Sequence, residues 1–200
     1  MTTQRNVAIL IFDDVEVLDF AGPFEVFNVT GEVTDPAPFN VYTIAEESRP
    51  VKARGSLSIN PHYTLDTCPQ PDILLIPGGA GTRPLMKNEP LLQWITAQVE
   101  KVELLLTVCT GSLLLAQAGL LDGLKATTHN TALDILRSRA PTAIICEGKR
   151  YVDNGKIITS GGISAGIDMS LYVVNNLIGP EKLQATLSEM EYDWTPEVFE

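Results

Sequence analysis

The chain has 200 residues, of which 44% are hydrophobic and 20% charged, so it is long enough for one compact domain with a full core and resembles an ordinary soluble globular protein in composition. A single domain over residues 1–200 is therefore expected. The formal net charge of -11 argues against a nucleic-acid-binding surface and against an anionic membrane face, and it favours a small-molecule partner.

The sequence also bears on the cellular location and on the use of the cysteines and histidines. No stretch approaches the roughly 20 apolar residues of a membrane span, and the amino terminus lacks a basic-then-apolar secretion signal, so we expect a cytoplasmic protein. The three cysteines, Cys68, Cys109 and Cys146, are too scattered for a disulfide framework or a zinc site with Cys-x-x-Cys spacing. Two histidines are too few for a histidine-rich metal site, so we expect no bound metal.

The first segment predicts a buried strand that ends in an acidic loop. Residues 6–12 form a near-continuous apolar run, as in a parallel strand that helices cover on both faces. Residues 13–19 are acidic where a dinucleotide-binding fold needs a glycine-rich turn, which argues against such a cofactor site. A helix is predicted to begin at Gly22 and Pro23, because the missing N–H of a proline costs nothing in a first turn.

The next segments predict further strands. Residues 39–45 alternate between apolar and polar positions and are predicted to be the second strand, while residues 51–65 indicate a hairpin or edge segment. Residues 72–76 are a third buried strand. It ends in the segment 77–81, whose glycines let backbone amides turn toward a ligand.

Residues 103–119 are the most informative stretch. A strand-length apolar run passes through a Cys-Thr-Gly corner into a segment that is apolar on every side, which predicts a buried strand, a sharp turn and a buried helix. Such a corner raises its apex side chain to the carboxyl edge of the sheet and points the helix amino terminus at it, as in a nucleophile elbow. The apex is Cys109, and a thiol in that position ionises more easily. We therefore expect covalent chemistry at Cys109, against the alternative that it only fills a tight corner.

The remaining segments continue the alternation of strands and helices. Predicted are a helix capped by Asn88, a helix over residues 131–139, short strands at 143–146, 151–152 and 156–159, a long helix through Leu177, and a last helix from Pro180. This alternation predicts an α/β fold with a doubly wound, mostly parallel sheet and helices on both faces. Ligands of such folds bind beyond the carboxyl ends of the strands, so the loops described above should converge there.

Four motifs in these loops resemble those of the ThiJ/PfpI superfamily, relatives of the class I glutamine amidotransferases. The motifs are LDFAGPFEVF at residues 18–27, IPGGAG at 76–81, VCTG at 108–111 and TSGGISAGID at 159–168. The likeness spans nearly the whole chain and implies a flavodoxin-like sandwich. Within the superfamily, the Leu-Asp-x-x-Gly-Pro segment with Cys-Thr-Gly is most similar to isonitrile hydratases and to the sensor domains of certain AraC-type regulators.

The resemblance implies roles for particular residues. Cys109 would be the nucleophile and Asp19 the carboxyl group against its sulfur, while Gly78, Gly79, Ala80 and Thr110 would bind substrate and hold developing negative charge. Elementary electrostatics supports the pair independently of the resemblance. A carboxylate and a thiolate side by side cannot both stay charged cheaply, so one of them should hold a proton and deliver it to substrate.

One departure from the superfamily is informative. Many relatives have a histidine next to, or partnered with, the cysteine, whereas here Thr110 follows Cys109, so a Cys-His-acid hydrolytic triad loses support. His129, Gly162 and Ile163 are assigned at most a supporting role around the cysteine.

The resulting expectation is a cysteine-dependent hydratase that adds water to an isonitrile, without a cofactor, and that forms a homodimer as the superfamily commonly does. Two alternatives stay open. One is a small-molecule sensor that has lost turnover, and the other is a stress-response protein of the glyoxalase-like or deglycase-like kind.

Overall fold

The computed structural model describes residues 4–197, and within that range no helix is long and apolar enough to cross a membrane. The strands are β1 (Arg5–Leu10), β2 (Phe39–Ala45), β3 (Val51–Lys52), β4 (Ser58–Ile59), β5 (Tyr63–Thr64), β6 (Ile73–Ile76), β7 (Leu104–Thr107), β8 (Lys125–Ala126), β9 (Ile144–Ile145), β10 (Tyr151–Asp153) and β11 (Ile157–Ser160). The α-helices are α1 (Val17–Glu32), α2 (Thr82–Leu85), α3 (Glu89–Val99), α4 (Ser112–Gln117), α5 (Leu133–Arg139), α6 (Ala165–Ile178) and α7 (Pro180–Glu189).

The central sheet has seven strands in the order β10-β11-β7-β6-β1-β2-β5. All neighbours are parallel except β10, which runs antiparallel to β11. Helices α1, α6 and α7 pack on one another, and α4 packs on α2, α3 and α5. The predicted doubly wound, mostly parallel sheet with flanking helices is confirmed.

The core follows the apolar runs of the sequence. All four residues of β6 are fully shielded from solvent, and the last four of β1 are buried as well. Each fully buried leucine or isoleucine contributes about 1.5–3 kcal/mol of transfer free energy, so these strands hold the sheet together from both faces. Because β1, β6 and β7 are adjacent and parallel, their carboxyl ends and the loops that follow lie side by side.

The start of α1 differs from the prediction. The helix begins at Val17, so Asp19 lies in its first turn rather than in a loop, and Pro23 lies inside the helix rather than at its start. Proline cannot donate a hydrogen bond to the carbonyl four residues earlier, which here belongs to Asp19. Tertiary packing outweighs this loss, because Phe20, Val26 and most of the inward face of α1 are buried.

Close packing between α1 and α6 places Asp19 relative to the β7 corner. A Cβ atom on Gly22 would come within 2.8 Å of Ile167 on α6, so only glycine allows the two helices to approach this closely. Likewise, a Cβ on Gly166 would lie 2.9 Å from Val108, the residue before Cys109. The helix that carries Asp19 is therefore locked, through α6, against the end of β7.

Candidate active site

Cys109 lies at the corner that follows β7, in a single 3-10 turn over Cys109–Gly111. Its N–H donates to the Gly161 carbonyl at 3.0 Å. Its own carbonyl accepts from the Thr128 hydroxyl at 2.9 Å and from the Ser112 hydroxyl at 3.2 Å. Both backbone polar groups of Cys109 are thus satisfied, and the direction of its side chain is set by the backbone.

The backbone of Cys109 is left-handed, with φ of 54°, which a residue other than glycine adopts only at a cost of order 1 kcal/mol or more. The corner is so tight because Gly111 packs directly against the carbonyl of Ile76, where any side chain would collide with backbone. A strained nucleophile-type corner is therefore built into the chain at Cys109, as the strand-turn-helix pattern predicts.

Asp19 is completely buried beside this corner. Its Oδ2 atom accepts a hydrogen bond from the Gly78 N–H at 2.9 Å, whereas Oδ1 is buried with no hydrogen-bond partner among the described residues. Gly78 separates the acid from the thiol by the smallest possible group, since a Cβ there would lie 2.8 Å from both Asp19 Oδ2 and the Cys109 Cβ. Asp19 and Cys109 consequently share one pocket.

Burial and mutual proximity set the ionisation of this pair. Burial raises the pKa of Asp19 to about 7, opposed by hydrogen bonds from the Gly78 N–H and the Cys109 side chain. Burial, followed by the charge of Asp19, raises the pKa of the Cys109 thiol, while the Thr110 N–H and hydroxyl lower it. The expectation that a thiol at this corner ionises more easily is therefore wrong, because burial and Asp19 outweigh the hydrogen bonds from Thr110. Both shifts disfavour a doubly charged pair, so Cys109 and Asp19 together hold at least one proton at neutral pH.

Thr110 organises the glycine loop after β6. Its hydroxyl accepts from the Gly79 N–H at 3.0 Å and lies 3.2 Å from the Thr82 hydroxyl, which also donates to the Gly79 carbonyl at 2.8 Å. The amide of Gly79 is therefore engaged by Thr110, just as that of Gly78 is engaged by Asp19. Neither is a free donor here, which leaves the Thr110 N–H, directed at the sulfur, and the N–H of exposed Ala80, for which no partner is found in residues 4–197.

We call the buried residues of this site the floor: Cys109, Asp19, Gly78, Thr110 and Thr82. Cys109 opens into a cavity of about 400 Å³. The side chains around its mouth are half-buried or exposed, and we call them the rim: Glu16, Arg54, Arg83, His129 and Ile163. The Arg54 guanidinium donates to Glu16 Oε2 at 2.6 Å, so one cation of the rim is paired within it.

His129 stands between the Cys109 cavity and an adjoining cavity of about 250 Å³. The Thr131 N–H donates to His129 Nδ1 at 3.3 Å, so in the neutral ring the proton lies on Nε2. The imidazole lies against Gly162, where a side chain would collide with it. Ile163, which follows, has a left-handed φ of 45°, a strained conformation for a β-branched residue.

The structure brings the residues singled out from the sequence into one place. The thiol of Cys109 lies among Asp19, Gly78, Gly79 and Thr110. The cavity is lined by Ala80, His129 and Ile163, and Gly162 packs against His129. Sequence reasoning assigned no role to Ser112, Thr128, Glu16, Arg54 or Arg83. Of these residues, Arg83 is the one that the sequence could have indicated, because it comes two residues after the IPGGAG motif.

The other cysteines lie apart from this chemistry. Cys68 and Cys146 are half-buried, and their thiols face the backbone carbonyls of Leu65 at 3.5 Å and Ile144 at 3.7 Å. Within residues 4–197, no group of three or more histidine, cysteine, aspartate or glutamate side chains is arranged to hold a metal ion.

Comparisons with known proteins point to one family. The model of the DJ-1/PfpI family matches residues 5–176. Isonitrile hydratase of Pseudomonas putida is 35% identical over 191 residues, which cover 96% of this chain and 80% of the hydratase. The HTH-type transcriptional regulator GbdR of Pseudomonas aeruginosa is 28% identical over 93% of this chain but only 50% of the regulator, so the chain spans about half of that protein. The crystal structure of a THiJ/PfpI family protein from Pseudomonas syringae superposes with a TM-score of 0.87 at 30% identity, covering 98% of this chain and 78% of the other.

Proposed function

The chain belongs to the DJ-1/PfpI family, and from that membership we propose that it is a cysteine-dependent hydratase that converts an isonitrile into an N-substituted formamide. The observation that carries the proposal is the buried Cys109–Asp19 pair, in which a nucleophile and an acid share a proton beside an open cavity. Similarity to a hydratase over 96% of the chain supports it.

The first step adds the thiol across the isonitrile carbon. The proton of the pair moves to Asp19, which leaves Cys109 as a thiolate. Its sulfur bonds to the terminal carbon of R–N≡C, and the same carbon takes the proton from Asp19. The product is a thioimidate, R–N=CH–S–Cys109. An isonitrile carbon accepts both a nucleophile and a proton, so a pair that supplies the two from one side suits this reaction.

The second step consumes water and releases the enzyme. Water adds its oxygen to the thioimidate carbon and one proton reaches the nitrogen. The C–S bond then breaks to give R–NH–CHO, and the remaining proton returns to the Cys109–Asp19 pair. We assign to the N–H groups of Thr110 and Ala80 the task of holding negative charge that develops on the substrate heteroatoms, because the amides of Gly78 and Gly79 are already engaged.

A sensor is the second candidate. The similarity to GbdR over 93% of this chain favours it, because the same domain then occurs in a transcriptional regulator. A sensor would bind a small molecule in the Cys109 cavity without turning it over.

The test is to incubate the purified protein with cyclohexyl isocyanide and to follow N-cyclohexylformamide by chromatography and mass spectrometry. Wild type and Cys146→Ala should form the formamide, whereas Cys109→Ala should not, and brief incubation should give an adduct of isonitrile mass on Cys109 alone. Absence of turnover across a panel of isonitriles, with Cys109 shown to be reduced, would rule out the hydratase. Ligand binding that persists in Cys109→Ala would then indicate the sensor.

The homodimer stays a prediction. We propose that Leu18, next to Asp19 in the chain, and Leu57 in the hairpin, which are 38% and 50% exposed, belong to the surface that a second subunit covers. Light scattering at working concentration measures the oligomeric state directly.

A further inference from the structure

Arg83 is a cation of the rim that the proposed chemistry does not use. It lies in α2, immediately after Thr82 of the floor, and it is half-buried in the cavity wall. Its Nη1 atom donates to the Thr82 hydroxyl at 3.0 Å and to the Gly79 carbonyl at 3.3 Å. The guanidinium is thus held in a defined position by the loop that also surrounds the thiol.

The edge of this guanidinium formed by Nε and Nη2 is available to bind a ligand. Its Nε and Nη2 atoms donate to no group in residues 4–197, and no carboxylate in that range forms an ion pair with it. The Nε and Nη2 donors form the planar fork that binds a carboxylate through two parallel hydrogen bonds. A fork anchored through its third nitrogen loses little conformational entropy when it binds such a group.

The charges around the mouth make Arg83 the natural anion site of the cavity. Arg54 is neutralised by Glu16 at 2.6 Å.

We propose that Arg83 selects substrates that carry a carboxylate a few bonds from the carbon attacked by Cys109. This inference rests on the proposed function for the reacting group and makes the substrate an isocyano carboxylate. A cavity of about 400 Å³ is of the size that a small acid of this kind requires.

Alkylation of Cys109 tests carboxylate recognition without any isonitrile. Iodoacetate and iodoacetamide differ only in the carboxylate, and the ratio of their rates at Cys109 is read from peptide mass spectra. Arg83→Gln should lower the iodoacetate-to-iodoacetamide ratio at Cys109 about tenfold, as expected for loss of one charge-assisted bidentate contact. Arg83→Lys keeps the charge but not the fork, so its iodoacetate-to-iodoacetamide ratio should lie between that of wild type and that of Arg83→Gln. The ratio at Cys146 in the same samples is the internal control, and Arg139→Gln, an exposed arginine on α5, is the control variant.

Turnover then tests the substrate class. The ratio of kcat/KM for isocyanoacetate to that for its methyl ester should fall about tenfold in Arg83→Gln and stay unchanged in Arg139→Gln. An unchanged alkylation ratio in a folded Arg83→Gln, or a loss seen in Arg54→Gln instead, would overturn the assignment. If no isonitrile is turned over while the alkylation ratio still depends on Arg83, the hydratase proposal fails and carboxylate recognition stands.

Discussion

The floor and the rim of the Cys109 cavity are built in different ways. Every residue of the floor is buried, and two of its side chains are held by backbone N–H groups: the Gly78 N–H donates to Asp19, and the Gly79 N–H donates to the Thr110 hydroxyl. The rim consists of long or exposed side chains, such as Arg54, which is 71% exposed in its side chain. A floor set by backbone geometry tolerates no change of shape, whereas a rim of side chains can be exchanged without repacking the core.

This difference assigns separate tasks to the two regions. The floor contains the groups that form and break bonds, so changes there should alter kcat and stability together. The rim contains the groups that meet the rest of the substrate, so changes there should alter which substrate binds. Substitutions in each region test this division.

Asp19→Asn should abolish most activity and yet stabilise the protein. Asparagine keeps an oxygen that accepts from the Gly78 N–H but cannot deliver the proton, so kcat should fall by about 10²–10⁴. The folded state binds a proton at Asp19 more tightly than the unfolded chain does, because its pKa rises from 3.8 to about 7. Ionised Asp19 therefore destabilises the fold progressively as pH rises from about 4 to about 7, and by a constant amount above that.

Urea unfolding across this pH range measures the effect. Asp19→Asn should match wild type near pH 4 and exceed it at pH 8 by up to about 4 kcal/mol, at about 1.4 kcal/mol per pKa unit. Asp13→Asn is the control, because the pKa of Asp13 is lowered, first by the hydrogen bond from Arg49 and then by the Lys52 N–H. Its stabilising interaction is lost only as pH falls below the usual carboxyl range, so it should gain nothing between pH 4 and 8. A decrease in stability of Asp19→Asn at pH 8 would contradict the conclusion that burial disfavours the ionised form of Asp19.

Gly78→Ala tests the tightness of the floor. The added methyl would lie 2.5 Å from the Thr110 nitrogen and 2.8 Å from Asp19 Oδ2, so backbone and acid must move. We expect a loss of about 1–3 kcal/mol in the free energy of unfolding, together with a strong decrease in kcat. Gly31→Ala in α1 is the matched control, since its methyl meets nothing closer than 3.5 Å and should add up to about 1 kcal/mol of helix stability. Equal effects of the two variants would show that the floor is not close-packed.

Arg54→Gln should have the smallest effect and marks the rim. The Arg54 side of its ion pair with Glu16 is 71% exposed, so solvent screens the pair and the melting temperature should change little. Any change in catalysis should appear in KM, with kcat preserved, because Arg54 lies outside the Cys109–Asp19 pair. A decrease in kcat as large as that of Gly78→Ala would mean that a rim residue takes part in the chemical step, and it would contradict the separate tasks of floor and rim.

The same division explains what could be predicted from sequence. The strand Phe39–Ala45 was predicted to the residue, and Asn88 was recognised as a cap whose side chain accepts from Leu91, because period and capping are local properties. The predicted start of α1 was wrong, because Pro23 marks a first turn only where tertiary packing does not extend the helix toward the amino terminus. The convergence of loops on Cys109 follows from the parallel sheet.

Only part of the rim could be predicted: the resemblance singled out His129 and Ile163, which line the cavity, but nothing in the sequence singled out Glu16, Arg54 and Arg83. Arg54 and Arg83 come from separate segments, and no periodic pattern reports which exposed side chains meet across a cavity. The hydrogen bonds of the Gly78 and Gly79 N–H groups could not be predicted from the sequence either, because they depend on where Asp19 and Thr110 lie in three dimensions. The roles assigned to these residues stay predictions until the variants above are measured.

The left-handed backbone of Cys109 has a consequence for how this position would evolve. Glycine adopts a φ of 54° without strain, so a screen that selects only for folding should replace Cys109 with glycine rather than with serine or alanine. The most stable residue at the corner is thus one that cannot react. A cysteine that persists there under random mutation does so against the stability gradient, and its loss to glycine would mark a lineage that has given up chemistry at this site.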